Sequence, residues 1–114
     1  MTSGMKTIIY PVRDLERAKA LYGRLLGVEP VVDEPYYVGF AVAGQDIGLD
    51  PNGYGQGMTG PVAYWHVDDI EGSLKELLDA GAEKVQTVKD VGGGKLVASV
   101  RDADGNVVGL IQAP

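Results

Sequence analysis

Few side chains in this sequence could take part in chemistry, and each of them also has a structural explanation. His66 is the only histidine and the chain has no cysteine, so one chain cannot assemble a metal site from several imidazoles or thiolates. His66 could exchange a proton near neutral pH, or it could be a neutral, hydrogen-bonded strand residue. Asp50 could contact a ligand, or its carboxylate could bind backbone amides of the turn at residues 50–53. Tyr64 could form a flat wall for a ligand or could pack within a sheet, as could the pair Tyr36 and Tyr37.

The elements that must position these residues occur twice in the chain. In residues 7–30, an apolar strand leads to Asp14, which predicts a helix N-cap, and Gly27 predicts the end of that helix. Residues 62–85 repeat this order with Asp69 and Gly81. The apolar spacing predicts that one helix face carries Leu15, Ala18, Leu21, Tyr22 and Leu25, and that the other helix buries Ile70, Leu74, Leu77 and Leu78.

Each predicted helix is followed by three short strand-like runs separated by turn signals, among them Asp104-Gly105. The sequence therefore predicts a single α+β domain over residues 1–114, built from two β-α-β-β-β modules at about 6–50 and 62–112. The Gly- and Pro-rich linker 51–61 is long enough to be mobile or functional. Period-two alternation places Tyr64 and His66 on the same face as Val62, with Trp65 and Val67 toward the helices.

The charge balance disfavours two classes of partner. Ten basic and 16 acidic side chains give a formal net charge of −6, which repels phosphate backbones and anionic lipid headgroups. We therefore expect neither nucleic acid nor a membrane as partner. With no apolar run of membrane-spanning length and no signal-peptide pattern, the expected location is the cytoplasm.

The two modules resemble the vicinal oxygen chelate superfamily, which includes glyoxalases, extradiol dioxygenases and bleomycin-resistance proteins. The resemblance runs from Lys6 to Gln112 and rests on "VRDLERAKALYGRLLG", "VDDIEGSLKELLDAGA" and "DADGNVVGLIQ". It implies a curved mixed sheet with the helices outside, in which the paired modules enclose a cleft. Since members of this length usually pair, it also implies a homodimer.

In the metal-dependent members that this chain resembles, one ligand lies on the first strand of each module and a glutamate lies on each last strand. The matching positions here are Thr7, Val62, Gly48 and Gly109. A hydroxyl alone is a poor transition-metal ligand, and valine and glycine offer no side-chain donor. We therefore expect no metal or other cofactor at these positions. The two glycines either mark a kink or close backbone approach, or they widen the cleft for an organic ligand.

Two functions are consistent with these residues. The first is a metal-independent protein that binds a small organic molecule, cationic or aromatic, as bleomycin-resistance proteins do. The alternative is an enzyme of the glyoxalase or dioxygenase type that uses a displaced metal site or metal-free acid–base chemistry. The residues predicted to contact the ligand are Thr7, Ile9, Gly48, Asp50, Val62, Tyr64, His66 and Gly109.

Overall fold

The computed structural model describes residues 2–114, which form two β-α-β-β-β modules, as the sequence predicts. The first contains β1 (Thr2–Pro11), α1 (Leu15–Leu26), β2 (Val32–Glu34), β3 (Tyr37–Val42) and β4 (Gln45–Asp50). The second contains β5 (Val62–Val67), α2 (Ile70–Asp79), β6 (Glu83–Asp90), β7 (Leu96–Arg101) and β8 (Val107–Gln112). We call these two sets of elements module one and module two. The chain also divides into two compact units at nearly the same boundary, residues 6–62 and residues 2–5 with 63–114.

The strands of module one follow the order β2-β3-β4-β1. β1 runs parallel to β4, and the other two pairings are antiparallel. Helix α1 begins where the sequence predicts, because the Asp14 carboxylate accepts the Arg17 N–H at 3.1 Å and so satisfies an unpaired amide of the first turn. It ends at Gly27, which has φ 71° and donates its N–H to the Gly23 carbonyl at 2.9 Å.

Helix α1 covers one face of this sheet. Its core-facing residues pack with side chains of β1, β3 and β4, a cluster that includes Leu15, Ala18, Tyr22, Leu26, Val38, Phe40, Ile47 and Leu49. The predicted helix face was wrong at Leu21 and Leu25, whose residues are 65% and 74% exposed. Each is adjacent in sequence to a core-facing residue, and one residue rotates a helical side chain by about 100°. In a leucine-rich helix, the pattern alone did not distinguish Leu26 from Leu25.

Module two has the strand order β5-β8-β7-β6, with β5 and β8 parallel and the other pairs antiparallel. Asp69 caps α2 by accepting the Gly72 N–H at 3.1 Å, and the Gln112 side chain accepts the Ile70 N–H at 2.8 Å. The predicted helix face is confirmed here, because Ile70 and Leu74 are buried and Leu77 and Leu78 pack against the same cluster.

A tight turn joins β7 to β8, as Asp104-Gly105 predicts. Asp102 accepts hydrogen bonds from the backbone N–H of Asp104 at 3.0 Å and from Asn106 through both its backbone and its side-chain nitrogen. These hydrogen bonds, the Asn106 side chain first among them, lower the pKa of the Asp102 carboxyl. Within residues 2–114, no helix has the length and apolarity needed to cross a membrane.

Candidate ligand-binding site

The predicted ligand-contacting residues lie on the sheet face opposite the helix of each module, which we call the inner face. In module one, strand register places three rows of side chains on this face. The rows are Glu34, Tyr37, Asp50 and Pro11; then Val32, Gly39, Gly48 and Ile9; then Ala41, Asp46 and Thr7. The predicted residues Thr7, Ile9, Gly48 and Asp50 therefore share one surface.

The space beside Gly48 is filled by a tyrosine. A Cβ built at Gly48 would overlap the Tyr37 hydroxyl and lie 2.7 Å from its Cζ. A Cβ at Gly39, which pairs directly with Gly48, would lie 3.2 Å from the Tyr37 Cε2. Both distances are shorter than ordinary contacts between a Cβ and a neighbouring carbon. The ring of Tyr37 thus rests on two adjacent glycines, and what approaches Gly48 is a side chain rather than another backbone.

Asp50 forms the turn that its sequence context indicates. Its carboxylate accepts the Asn52 N–H at 2.8 Å, and its carbonyl accepts the N–H groups of Val12 and Gly53 at 3.1 and 3.2 Å. The turn interpretation is therefore confirmed, and a ligand contact by this carboxylate stays a prediction. Thr7, at the other end of the inner face, is buried.

The linker that follows Asp50 contains a short 3₁₀ helix (Tyr54–Gln56) and packs against the end of β1. Gly53 is buried, and a Cβ there would lie 2.7 Å from the Pro11 Cβ and 2.9 Å from the Met58 Sδ. The Arg13 guanidinium carbon lies 4.0 Å from the centroid of the Tyr54 ring, within the range of a cation–π contact. The linker therefore has defined contacts with module one at the Pro11 end of its inner face.

In module two, a tyrosine ring also occupies the space beside the matching glycine, but this tyrosine comes from a different strand. Gly109 pairs directly with Tyr64 on β5, and a Cβ at Gly109 would lie 2.5–2.8 Å from three atoms of the Tyr64 ring. The Tyr64 residue is only 7% exposed. The same row continues through Ser99 on β7 to Gln86 on β6. Ser99 is buried, so this row combines a buried aromatic ring with two polar side chains.

His66 lies in the next row of this inner face. Its strand partner is Ile111, which in turn pairs with Val97, and both of these residues are buried. His66 is half-buried, and its backbone carbonyl accepts the Thr2 hydroxyl at 2.7 Å. Val62, the first residue of β5, is buried as well. Val67 packs in the helix-side core as predicted, whereas Trp65, predicted to face the same way, is 37% exposed.

The structure adds residues that the sequence analysis did not assign to a site. Gly39, Ser99 and Gln86 lie on the inner faces, and Tyr37 takes a definite position there. A sequence signal existed for part of this set. Tyr37 and Gly39 are two residues apart, so period two places them on one face of β3. Nothing comparable identifies Gln86, which stands between two register irregularities of β6; such irregularities can redirect a side chain.

The inner faces differ in charge. The three rows of module one contain three carboxylates, those of Glu34, Asp46 and Asp50. These register positions include no lysine, arginine or histidine. In module two, the corresponding positions include Lys89 and the ion pair between Arg101 and Glu83 at 3.2 Å. Coulombic attraction at the first face therefore favours a cation over an anion.

The residues at the four inherited ligand positions do not fit a divalent metal ion. Thr7 offers one hydroxyl, Val62 offers no donor, and the space that a glutamate would need at Gly48 and Gly109 contains tyrosine rings. Zinc and related ions require imidazole, thiolate or carboxylate donors. Across residues 2–114, no group of three or more His, Asp or Glu side chains is placed to hold a metal ion.

Comparisons with known proteins agree with this fold. Residues 4–110 match the family model of the Glyoxalase/Bleomycin resistance protein/Dioxygenase superfamily. Methylmalonyl-CoA epimerase from Mycobacterium tuberculosis has a similar structure, with 20% identity and a TM-score of 0.72 over 99% of this chain and 90% of that chain. A superfamily member from Vibrio splendidus 12B01 is 17% identical, with a TM-score of 0.72 over 96% of this chain and 99% of that chain.

The Mn(II)-bound glyoxalase from Novosphingobium aromaticivorans is also similar, at 17% identity and a TM-score of 0.71 over 97% of this chain and 39% of that chain. No match was found among curated proteins. At these identities the solved structures support the fold alone, and the family assignment rests on the family-model match over most of the sequence. The chain belongs to the Glyoxalase/Bleomycin resistance protein/Dioxygenase superfamily.

Proposed function

We propose that this protein binds a small organic molecule and has lost the superfamily's metal site. One observation carries the proposal: at both positions where a metal-binding glutamate is expected, a buried glycine lies under a tyrosine ring. Neither glycine supplies a metal ligand, and the tyrosines give each inner face the aromatic and polar composition that is typical of small-molecule sites. The proposed ligand contacts are those named from the sequence, together with Ser99 and Gln86.

The partners are part of the same proposal. The net charge of −6 argues against nucleic acid and anionic membranes, and the proposed assembly, a homodimer, rests on the resemblance to superfamily members of this length. We also propose the cytoplasmic location that the sequence analysis expects. Subcellular fractionation of the native protein tests the location, because recovery in a secreted or envelope fraction would contradict it.

The experiment that tests ligand binding begins with whatever co-purifies. Mass spectrometry of the intact complex identifies the molecule, and a thermal-shift titration measures its effect. A ligand at a hundred times its Kd stabilises the native state by about 2.7 kcal/mol, which corresponds to roughly 10 °C in Tm for a domain of about this size. No co-purifying molecule, and no shift from aromatic, cationic or thiol-conjugated compounds, would refute the proposal.

A matched pair of variants ties binding to the inner face. Gly48→Glu puts a carboxylate on the inner face of module one, where only the far end of the Tyr37 ring must move. Gly55→Glu adds the same charge at a position with no neighbour within 4 Å of a Cβ. We expect the first variant to abolish the ligand-induced shift and the second to retain it. A shift that survives Gly48→Glu would place the ligand elsewhere.

The alternative function is an enzyme that uses metal-free acid–base chemistry. The supporting observation is that His66 is half-buried on the inner face of module two. It lies in the row next to the paired residues Tyr64 and Gly109. A neutral imidazole there could accept a proton from a bound substrate. Since methylmalonyl-CoA epimerase shares the fold, methylmalonyl-CoA in D₂O is a suitable first substrate. Deuterium uptake that His66→Gln removes would favour catalysis, and no uptake would favour binding alone.

A further inference from the structure

The outer half of the Tyr37 ring lies close to two glycines at once. Gly39 and Gly48 lie directly opposite each other on β3 and β4. A Cβ on Gly39 would lie 3.2 Å from the Tyr37 Cε2, and one on Gly48 would lie 2.7 Å from its Cζ. One side of the ring therefore lies against glycine backbone that no other residue type would leave open. We call these three residues the tyrosine seat.

The accessible surface distinguishes this tyrosine from the one in module two. Tyr64 is 7% exposed, so its ring fills space as a core residue does. Tyr37 is half-buried, so part of this side chain stays accessible while the ring lies beside the two glycines. The chain provides an internal control, because the adjacent Tyr36 precedes β3 and is 64% exposed.

We propose that the tyrosine seat is a stacking platform and that its ligand is a planar aromatic cation. This inference rests on the proposed small-molecule function and specifies the ligand class for module one. An aromatic ring stacks in an offset arrangement with centroids about 4.5–7 Å apart, and a positive charge over tyrosine gains a cation–π contribution. Because the two glycines lie against one side of the ring, a ligand that stacks on it restricts fewer orientations of the side chain than it would for an unsupported ring.

The charges around the platform select the sign of the ligand. Glu34 pairs with Tyr37 across β2 and β3, and Asp46 lies one row beyond Gly48 on the same face. None of the eleven register positions on this face, from β1 to β4, holds a lysine, arginine or histidine. A planar anion would be repelled by these two carboxylates, whereas a planar cation is attracted to both.

The test uses proflavine, a flat aromatic cation, with 2-anthracenesulfonate as an anion of similar shape. Fluorescence titration should show proflavine binding at least tenfold more tightly than the anion. Tyr37→Leu should weaken proflavine binding at least tenfold, and Tyr37→Phe, which keeps the ring, should stay within about threefold of the wild type. Tyr36→Leu should leave the affinity unchanged. Gly39→Ala, which lifts the ring from its seat without removing it, should weaken binding in the same direction as Tyr37→Leu.

Three results would overturn the inference. The first is proflavine binding that Tyr37→Leu leaves unchanged, the second is an anion affinity that matches the proflavine affinity, and the third is no proflavine binding by the folded wild-type protein. Circular dichroism of each variant shows whether it is folded, and Tyr37→Phe and Gly39→Ala provide a second test if Tyr37→Leu unfolds. If a co-purified molecule stabilises the protein while proflavine fails, the ligand class is wrong and the binding function stands. If no molecule binds, the proposed function fails as well.

Discussion

Gly109→Ala should destabilise the protein because one methyl group would enter the space of a buried ring. Its Cβ would lie 2.5–2.8 Å from the Cδ1, Cγ and Cε1 atoms of Tyr64. Cγ is the root of the ring, so the ring cannot avoid the methyl group by rotating about its own axis. Overpacking of this kind costs about 1–3 kcal/mol. At about 4 °C per kcal/mol for a domain near 100 residues, Tm should fall by about 4–12 °C.

Substitutions at two other glycines provide controls for the predicted destabilisation. At Gly48, the overlapping atoms are the hydroxyl and Cζ of Tyr37, the far end of a half-buried side chain that can swing aside. Gly48→Ala should therefore cost less than about 1 kcal/mol, below the overpacking range. At Gly55, a methyl carbon would have no neighbouring atom within 4 Å, and alanine there should be neutral or slightly stabilising. The expected order of destabilisation is Gly109→Ala, then Gly48→Ala, then Gly55→Ala.

A double-mutant cycle identifies Tyr64 as the cause. In the Tyr64→Ala background the obstruction is absent, and glycine-to-alanine replacement at a compatible backbone position stabilises a protein by about 0.4–1 kcal/mol. The effect of Gly109→Ala should thus change sign between the two backgrounds, which urea unfolding can measure. Equal costs in both backgrounds, or the same Tm for the Gly109 and Gly55 variants, would refute the assigned packing of Tyr64 on Gly109.

Three further predictions concern metal, pH and assembly. Protein dialysed without chelator should contain far less than one equivalent of zinc, nickel, iron or manganese per chain by plasma emission spectroscopy, and near-stoichiometric metal would contradict the proposed loss of the site. Because Asp102 has a lowered pKa in the folded state, its stabilisation is present above the pKa of the unfolded carboxyl and is lost as pH falls through the folded-state pKa. Asp102→Asn should therefore lower Tm at neutral pH, and the difference from wild type should shrink in acid; a constant difference would argue against this linkage. Light scattering should report twice the 12.0 kDa chain mass, and a monomer at tens of micromolar would contradict the proposed homodimer.

Local physical chemistry made the fold predictable. Each helix start depends on one aspartate that accepts an amide of the first turn, and both Asp14 and Asp69 do so in the structure. The Asp104-Gly105 turn follows from the same kind of short-range rule, since Gly105 adopts φ 88°, which glycine tolerates at no steric cost. The residues that determine each of these features lie within a few positions of one another in the sequence.

The surroundings of the glycines were not predictable in this way. Period two assigns Gly48 and Gly109 to a sheet face, but it does not say which neighbouring side chain covers them. That depends on strand register and rotamer: Tyr37 lies two residues before Gly39, the partner of Gly48, and Tyr64 pairs with Gly109 itself. From the sequence, the two glycines were explained either by a kink or close backbone approach or by a widened cleft. Neither explanation included a side chain from the next strand that covers the glycine.

The two modules have the same backbone pattern, but the tyrosine that covers the glycine comes from a different strand in each. In module one the glycine of the last strand is covered from its antiparallel neighbour β3, and in module two from its parallel neighbour β5. The Tyr37 position corresponds in register to Val97 of module two, and the Tyr64 position corresponds to Ile9 of module one. The tyrosine of module one is half-buried and that of module two is almost fully buried, so the two rings offer a ligand different accessible surfaces. Ligand contact must therefore be tested with separate variants in the two modules, because a result at Gly109 does not predict the result at Gly48.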